Sequence, residues 1–240
     1  MSAPPYRVRR SDRARHARLT VTDEGEAVVV LPRRAPLAVA AMLVEAHAAW
    51  IERHVAAARL ADAAIADRPP LQEGRIIVVG GLDYRVSAVE GRERPARGRV
   101  DVTPAGPGRP GRIIVRLGRD GRATATLLEA WLRSRAHAVI GERASVLAQV
   151  MGVRPTRITV RDQRTRWGSA SASGALSFTW RLLLAPPEVL DAVVVHELAH
   201  LRIRGHGRAF WTLVERHAPQ TRVARRWLRD HARELRAALD

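Results

Sequence analysis

The spacing of apolar and polar residues changes several times along the 240-residue chain, and each change marks the edge of an element. Residues 18 to 31, RLTVTDEGEAVVVL, read as two short strands flanking a turn at Asp23 to Glu26, so a hairpin is expected to open the fold. Pro36 suits the first turn of a helix running through Ala38, Leu43, Trp50, Ile51 and Val55 to about Ala66, where Pro69 and Pro70 forbid continuation. From Gly74 to Leu117 the pattern shifts to short apolar runs, RIIVVGG, DYRVSAV and GRIIVRL, with glycine turns between them, which predicts a small β-meander. Residues 91–111 interrupt it with a Gly-, Pro- and Arg-rich stretch, expected to be a mobile surface loop. Thr124 to about Val150 carries apolar residues at helical spacing through Leu128, Leu132, Ala136 and Ile140, an amphipathic helix with one face in the core.

The C-terminal part is the most strongly patterned. Arg157 to Val160 predicts a strand, and the polar run RDQRTRWGSASASG follows it. Leu176, Phe178, Trp180 and Leu182 then alternate with Ser177, Thr179 and Arg181, a half-buried strand that could hold an extended substrate by edge pairing. It ends at Ala185-Pro186-Pro187, where proline suits a helix start. The next helix, expected over about 187–203, carries VLDAVVVHELAHL and is apolar on nearly all sides, so it should be central and buried.

The chemistry sits on that helix. His196 and His200 are four residues apart and share a helix face, so both imidazoles can reach one ion. Glu197 projects beside the pair and can take a proton from a metal-activated water, the arrangement of an HExxH zinc hydrolase. His206 is the preferred third ligand, because three neutral imidazoles around Zn2+ leave one position for water. Glu215, on the following helix, is the rival. The spacing of the three histidines equals that of HExxHxxGxxH, but Ile203 replaces the glycine and no methionine follows Met151, which argues against a metzincin. His47 and His54 lie seven apart on the earlier helix with no third ligand in view and read as ordinary surface histidines. Arg166, in RTRWGS, is either an oxyanion stabiliser or a partner for a carboxylate beside a tight turn.

Composition adds limits. The absence of cysteine excludes disulfides and thiolate metal sites. The formal charge of +17 arises from 41 basic against 24 acidic residues, and every basic residue other than histidine is arginine. Such a bias, alongside abundant Ala, Gly and Pro, matches GC-rich coding, so the charge alone does not establish a nucleic-acid partner. No apolar run approaches the roughly 18 residues of a membrane span, and the N-terminal stretch has no apolar signal region, so a cytoplasmic protein with no membrane partner is expected.

RTRWGS at 164–169, WRLLLAPPEVLDAVVVHELAHL at 180–201, HGRAFW at 206–211 and the N-terminal RRSDRARHARLTV with AWIERHV resemble the YgjP-like metallopeptidases, predicted metal-dependent hydrolases related to SprT-type zinc proteases. The resemblance covers almost the whole chain. It implies His196, His200 and His206 as metal ligands and Glu197 as the catalytic glutamate. Ala170 stands where the family usually has Cys, and Thr179 where it usually has Asn, so no catalytic thiol or amide is expected there.

The expected architecture is α+β and zincin-like, with a mixed or antiparallel sheet packed on the buried HExxH helix. An N-terminal hairpin-plus-helix segment (1–70), a small β-meander (71–122) and a catalytic part (123–240) divide the chain. The expected function is a zinc-dependent peptidase acting on peptides or proteins. Two alternatives draw on the three-histidine spacing and the basic charge: a YbeY-type zinc endoribonuclease, and a protease directed at nucleic-acid-bound proteins. The nucleases lack the glutamate beside the first histidine, so Glu197 favours peptide hydrolysis.

Overall fold

A computed structural model of the chain describes residues 4–22, 25–91 and 94–240. Among them, ten strands form three small sheets and seven α-helices accompany them, a mixed α+β fold. The chain divides into two compact units, Met1–Arg68 and Pro69–Asp240.

In the first unit, β3 (Ala27–Pro32) lies between β1 (Tyr6–Ser11), which is parallel to it, and β2 (Arg18–Val21), which is antiparallel. The central place follows from composition, since Val29 and Leu31 are fully buried. The expected pairing of β2 with β3 is present, while Asp23 and Glu24 of the expected turn lie outside the described residues. Two helices, α1 (Ala38–Ala46) and α2 (Ala48–Ala66), stand where one continuous helix was expected. His47 breaks it, with φ −122° and ψ 19°, and helix propensity gives no sign of the interruption. Val44 and Ile51 pack with Val29 and Leu31 in a small core of their own.

The second unit shares one larger core that runs from Leu71 to Leu235. Its four-stranded sheet has the order β4 (Glu73–Val79), β5 (Leu82–Val89), β7 (Gly111–Arg116), β6 (Arg99–Thr103). β5 and β7 are parallel, so this is a mixed sheet and not the expected meander. Burial explains the order: Ile113 and Val115 of β7 are fully buried and take an inner place beside Val86, whereas β6 has no buried residue and takes an edge. β6 also occupies part of the 91–111 stretch expected to be loop; its alternation is short and hidden among Gly, Pro and Arg.

Helix α3 (Thr124–Met151) buries Leu128, Leu132, Ala136, Ile140, Ala144 and Ala148, an unbroken i, i+4 stripe. It stops at Gly152, whose φ of 62° supplies the left-handed cap. The second sheet of this unit has the order β8 (Arg157–Arg161), β10 (Ala175–Thr179), β9 (Gly168–Ala170). β10 is shorter than the strand expected over 176–182. Trp180–Leu184 instead forms a 3-10 helix in which all five residues are buried. A strand with one face in the core hides every second residue, so five consecutive buried residues favour the tighter turn. With β8 on one side and β9 on the other, β10 has no free edge, and the expected edge pairing of a substrate at Leu176 to Leu182 is ruled out. The two edge strands of this sheet are β8 and β9.

Helix α4 (Pro187–Ala199) starts with proline in its first turn and buries nine of its 13 residues. It packs on α3, β9, α5 (Arg208–His217) and α6 (Thr221–Asp230), and α7 (Ala232–Arg236) closes the chain. It ends earlier than the expected residue 203, because the Leu201 and Arg202 amides turn back to the Leu198 and Ala199 carbonyls at 3.0 Å. A bidentate pair fixes it to α3: Arg143 donates to both carboxylate oxygens of Asp191, at 2.8 and 2.6 Å. Among the described residues, no helix is long and apolar enough to cross a membrane.

Candidate metal centre

The last turn of α4 and the loop after it bring three histidines together. His196 lies in the last turn, His200 caps the helix, and His206 returns on the short loop before α5. One ring nitrogen from each lies within 4.8 Å of the others, and among the described residues this is the group of potential ligands able to share an ion. Nε2 of His206 is 3.2 Å from Nε2 of His196. Two ring nitrogens so close repel unless a proton or a cation lies between them. Around a tetrahedral zinc with bonds of about 2.0–2.1 Å, adjacent nitrogens stand roughly 3.3 Å apart, so the spacing fits a metal. His200 turns Nδ1 to the Ile203 carbonyl at 3.1 Å, which fixes its ring and leaves Nε2 for an ion.

Phe210, fully buried on α5, is the floor of this cluster. Its ring centroid lies 4.5 Å from that of His200, 4.9 Å from His196 and 4.8 Å from His206. An apolar floor limits water around the imidazoles and disfavours their protonated forms. Burial, then the neighbouring His200 and His206 and the Arg225 guanidinium, hold His196 down at about 4. Burial also pushes His200 down, against its bond to Ile203. Neutral imidazoles are the form that binds metal.

Glu197 is 7% exposed and leans against Gly168 of β9. A Cβ at Gly168 would sit 2.7 Å from Glu197 Cγ, so only glycine leaves the carboxylate where it is. Burial pushes Glu197 up to about 7, with the Arg166 guanidinium opposing that rise. Arg166 therefore acts electrostatically on the carboxylate that sequence reasoning placed at the centre of the chemistry. Glu215, the rival ligand, pairs with Arg222 at 3.1 Å and is not in the histidine group.

Two cavities meet at Glu197. The larger, about 590 Å3, is lined by the β9 residues Gly168, Ser169 and Ala170 and by all three histidines. The smaller, about 250 Å3, is lined by Arg166, Trp167 and residues of α4 and α6, and shares Gly168, His196 and Glu197 with the larger. Sequence reasoning missed three contributors: the close approach of Gly168, the placement of Phe210 beneath all three rings, and Arg225. The glycine in RWGS was a signal for the first; nothing in the local pattern marks the other two.

The family model described as YgjP-like, metallopeptidase domain matches residues 15–231. The chain belongs to the YgjP-like family. A metal-dependent peptidase, with a divalent metal and a peptide or protein substrate, is what that membership implies for this YgjP-like chain. Among solved structures, it is similar to the crystal structure of the metallopeptidase zymogen of Pyrococcus abyssi abylysin. The identity is 20%, over 38% of this chain and 92% of that one, with a TM-score of 0.35, at which the likeness carries no argument. No curated protein matches the chain.

Proposed function

We propose that the chain is a zinc-dependent peptidase in which His196, His200 and His206 hold the ion and Glu197 is the general base. The observation that carries this reading is the convergence of three imidazoles beside a buried carboxylate that opens on two cavities. Imidazole ligands suit zinc, and a divalent cation held there supplies Lewis acidity that polarises a water and a scissile carbonyl. Glu197 accepts a proton from the attacking water at a carboxylate oxygen and passes it to the departing amine nitrogen. Its raised proton affinity suits both transfers near neutrality. Arg166 offers positive charge toward the developing oxyanion. The edge strand β9, which lines the larger cavity, pairs with the main chain of an extended peptide, which makes recognition there tolerant of sequence.

Glu197→Gln tests the reading. Wild type loaded with zinc should cleave an unbiased proteome-derived peptide library. The variant should bind zinc with the same stoichiometry and lose at least about a hundredfold in rate, the usual scale of a positioned general base. Retained cleavage in a clean preparation would sink the mechanism. RNA cleavage by the zinc-loaded protein without proteolysis would replace it with the nuclease alternative, and proteolysis that requires DNA would favour the nucleic-acid-directed one.

A further inference from the structure

The smaller cavity has a composition unlike that of the larger. Trp167, Ala192, Val193, Ala224 and Leu228 make its walls apolar, and its volume of about 250 Å3 is several times the roughly 30 Å3 share of one water. That is room for one amino-acid side chain. Two guanidiniums, Arg166 and Arg225, also line it, and both are exposed. Neither makes an ion pair with a carboxylate among the described residues. They differ in what surrounds them. Arg225 lies over the Trp211 ring, 4.6 Å from its centroid, whereas Arg166 has no such ring contact among the described residues. A cation–π contact of this kind is worth about 0.5–1 kcal/mol at an exposed site, enough to favour one position of a long side chain. Trp211 is in turn 5.7 Å from the His196 ring and 5.9 Å from the His206 ring, centroid to centroid, so Arg225 is braced beside the metal cluster. The cavity thus has apolar walls, a pre-positioned guanidinium with no carboxylate, and a border shared with the candidate general base.

We infer that this cavity is a specificity pocket for a substrate residue next to the scissile bond, and that Arg225 there binds a carboxylate carried by the substrate. Guanidinium and carboxylate match as a bidentate pair, stronger than a neutral hydrogen bond. The apolar walls take the methylene groups of an acidic side chain or of a chain-terminal residue. The term substrate rests on the peptidase reading above; the binding itself does not.

The test reads binding on the zinc-loaded Glu197→Gln protein. Fluorescent decapeptides of neutral background carry a single Glu, or Gln in its place, moved along the chain, each with a free or an amidated C-terminus, and anisotropy is measured at fixed ionic strength. One Glu position, or the free C-terminus, should bind at least tenfold tighter than its neutral counterpart. Side-chain dependence identifies an acidic residue as the ligand, and dependence on the free terminus identifies the chain end. In Glu197→Gln/Arg225→Ala the ratio should fall to near one, and Arg225→Lys should restore part of it. In Glu197→Gln/Arg226→Ala, one position along α6 and outside the cavity, the ratio should persist. Equal binding of Glu and Gln peptides with either terminus, survival of the preference without Arg225, or equal loss with Arg226→Ala would overturn the inference, the last by pointing to general attraction toward a +17 chain. Wild type that cleaves none of these peptides while showing an Arg225-dependent preference would keep the pocket and contradict the peptidase reading. Cleavage with no preference would contradict the pocket alone.

Discussion

His47 and His54, at and just after the start of α2, and His196 and His200, at the end of α4, are two histidine pairs at helix-like spacing in the sequence, and they differ in what surrounds their rings. α2 has one buried residue, Ile51, in 19, while α4 has nine in 13. His54 on α2 is exposed; its ring lies 4.0 Å from that of Trp50, and its Nδ1 meets the Trp50 carbonyl at 2.8 Å. His47, just before α2, marks the break in the helix. No third group joins them among the described residues. His196 and His200 stand over a buried phenylalanine, and a loop returns His206 to them. Helical spacing therefore supplies two ligands at most. Burial and a closing loop turn a pair into a site.

The comparison can be broken first at its floors. Phe210→Ala should cost about 3–5 kcal/mol of stability, the range for removing a fully buried phenylalanine, and should weaken zinc binding as the three rings lose their common support. Trp50→Ala, at a half-buried position of the first unit, should cost less and leave zinc binding unchanged. Urea unfolding and zinc titration measure both, and equal effects of the two variants on zinc would remove the distinction.

Next comes the contact between Gly168 and Glu197. Gly168→Ala places a carbon 2.7 Å from Glu197 Cγ, so the carboxylate must move. On the proposed role of Glu197 as general base, displacing it should lower kcat/KM at least tenfold, about 1.4 kcal/mol, with metal content unchanged. Activity within about twofold of wild type would separate the position of Glu197 from the chemistry.

The metal-free protein offers a pH test. Folding raises Glu197 from an ordinary 4.5 to about 7, so its protonated form is the one the fold favours. The stability linked to this group is full below about 4.5 and is lost as pH rises from there through about 7. His196 runs the other way: with a folded value of about 4 against 6.5, its contribution is full above 6.5 and lost as pH falls toward 4. Replacing only the carboxylate separates the two. Metal-free Glu197→Gln should gain stability relative to metal-free wild type above pH 7, and the gain should shrink toward pH 4.5. A difference that does not change with pH would contradict the burial account of Glu197. The smallest effect is expected at His54→Ala, within about 0.5 kcal/mol of wild type, because that ring is exposed.

The parts of the fold legible in the sequence are those where burial follows one period. The i, i+4 stripe of α3 and the nearly continuous apolar surface of α4 both show their core faces directly. The convergence of His196, His200 and His206 was legible because residues four apart share a helix face and the short glycine-flanked loop returns His206. β9 was not: Gly168, Ser169 and Ala170 are three small residues without alternation, and they become a strand only by pairing with β10. β1 was equally hidden, since YRVRRS gains its place from parallel pairing with β3, twenty-one residues away in register. The switch from strand to 3-10 helix at Trp180 depends on buried neighbours from distant segments, including the Gly80 amide that donates to the Leu183 carbonyl at 2.7 Å. Arg225 and Phe210 reach the site through the packing of α5 and α6 on α4, which no local pattern encodes.

Zinc stoichiometry across the histidines tests the central claim most directly. Measured by elemental analysis after gel filtration, wild type and a His47→Ala/His54→Ala double variant should each retain one zinc per chain, while His196→Ala, His200→Ala and His206→Ala should each lose it. Full zinc retention in His206→Ala, or loss of zinc in the α2 double variant, would contradict the account.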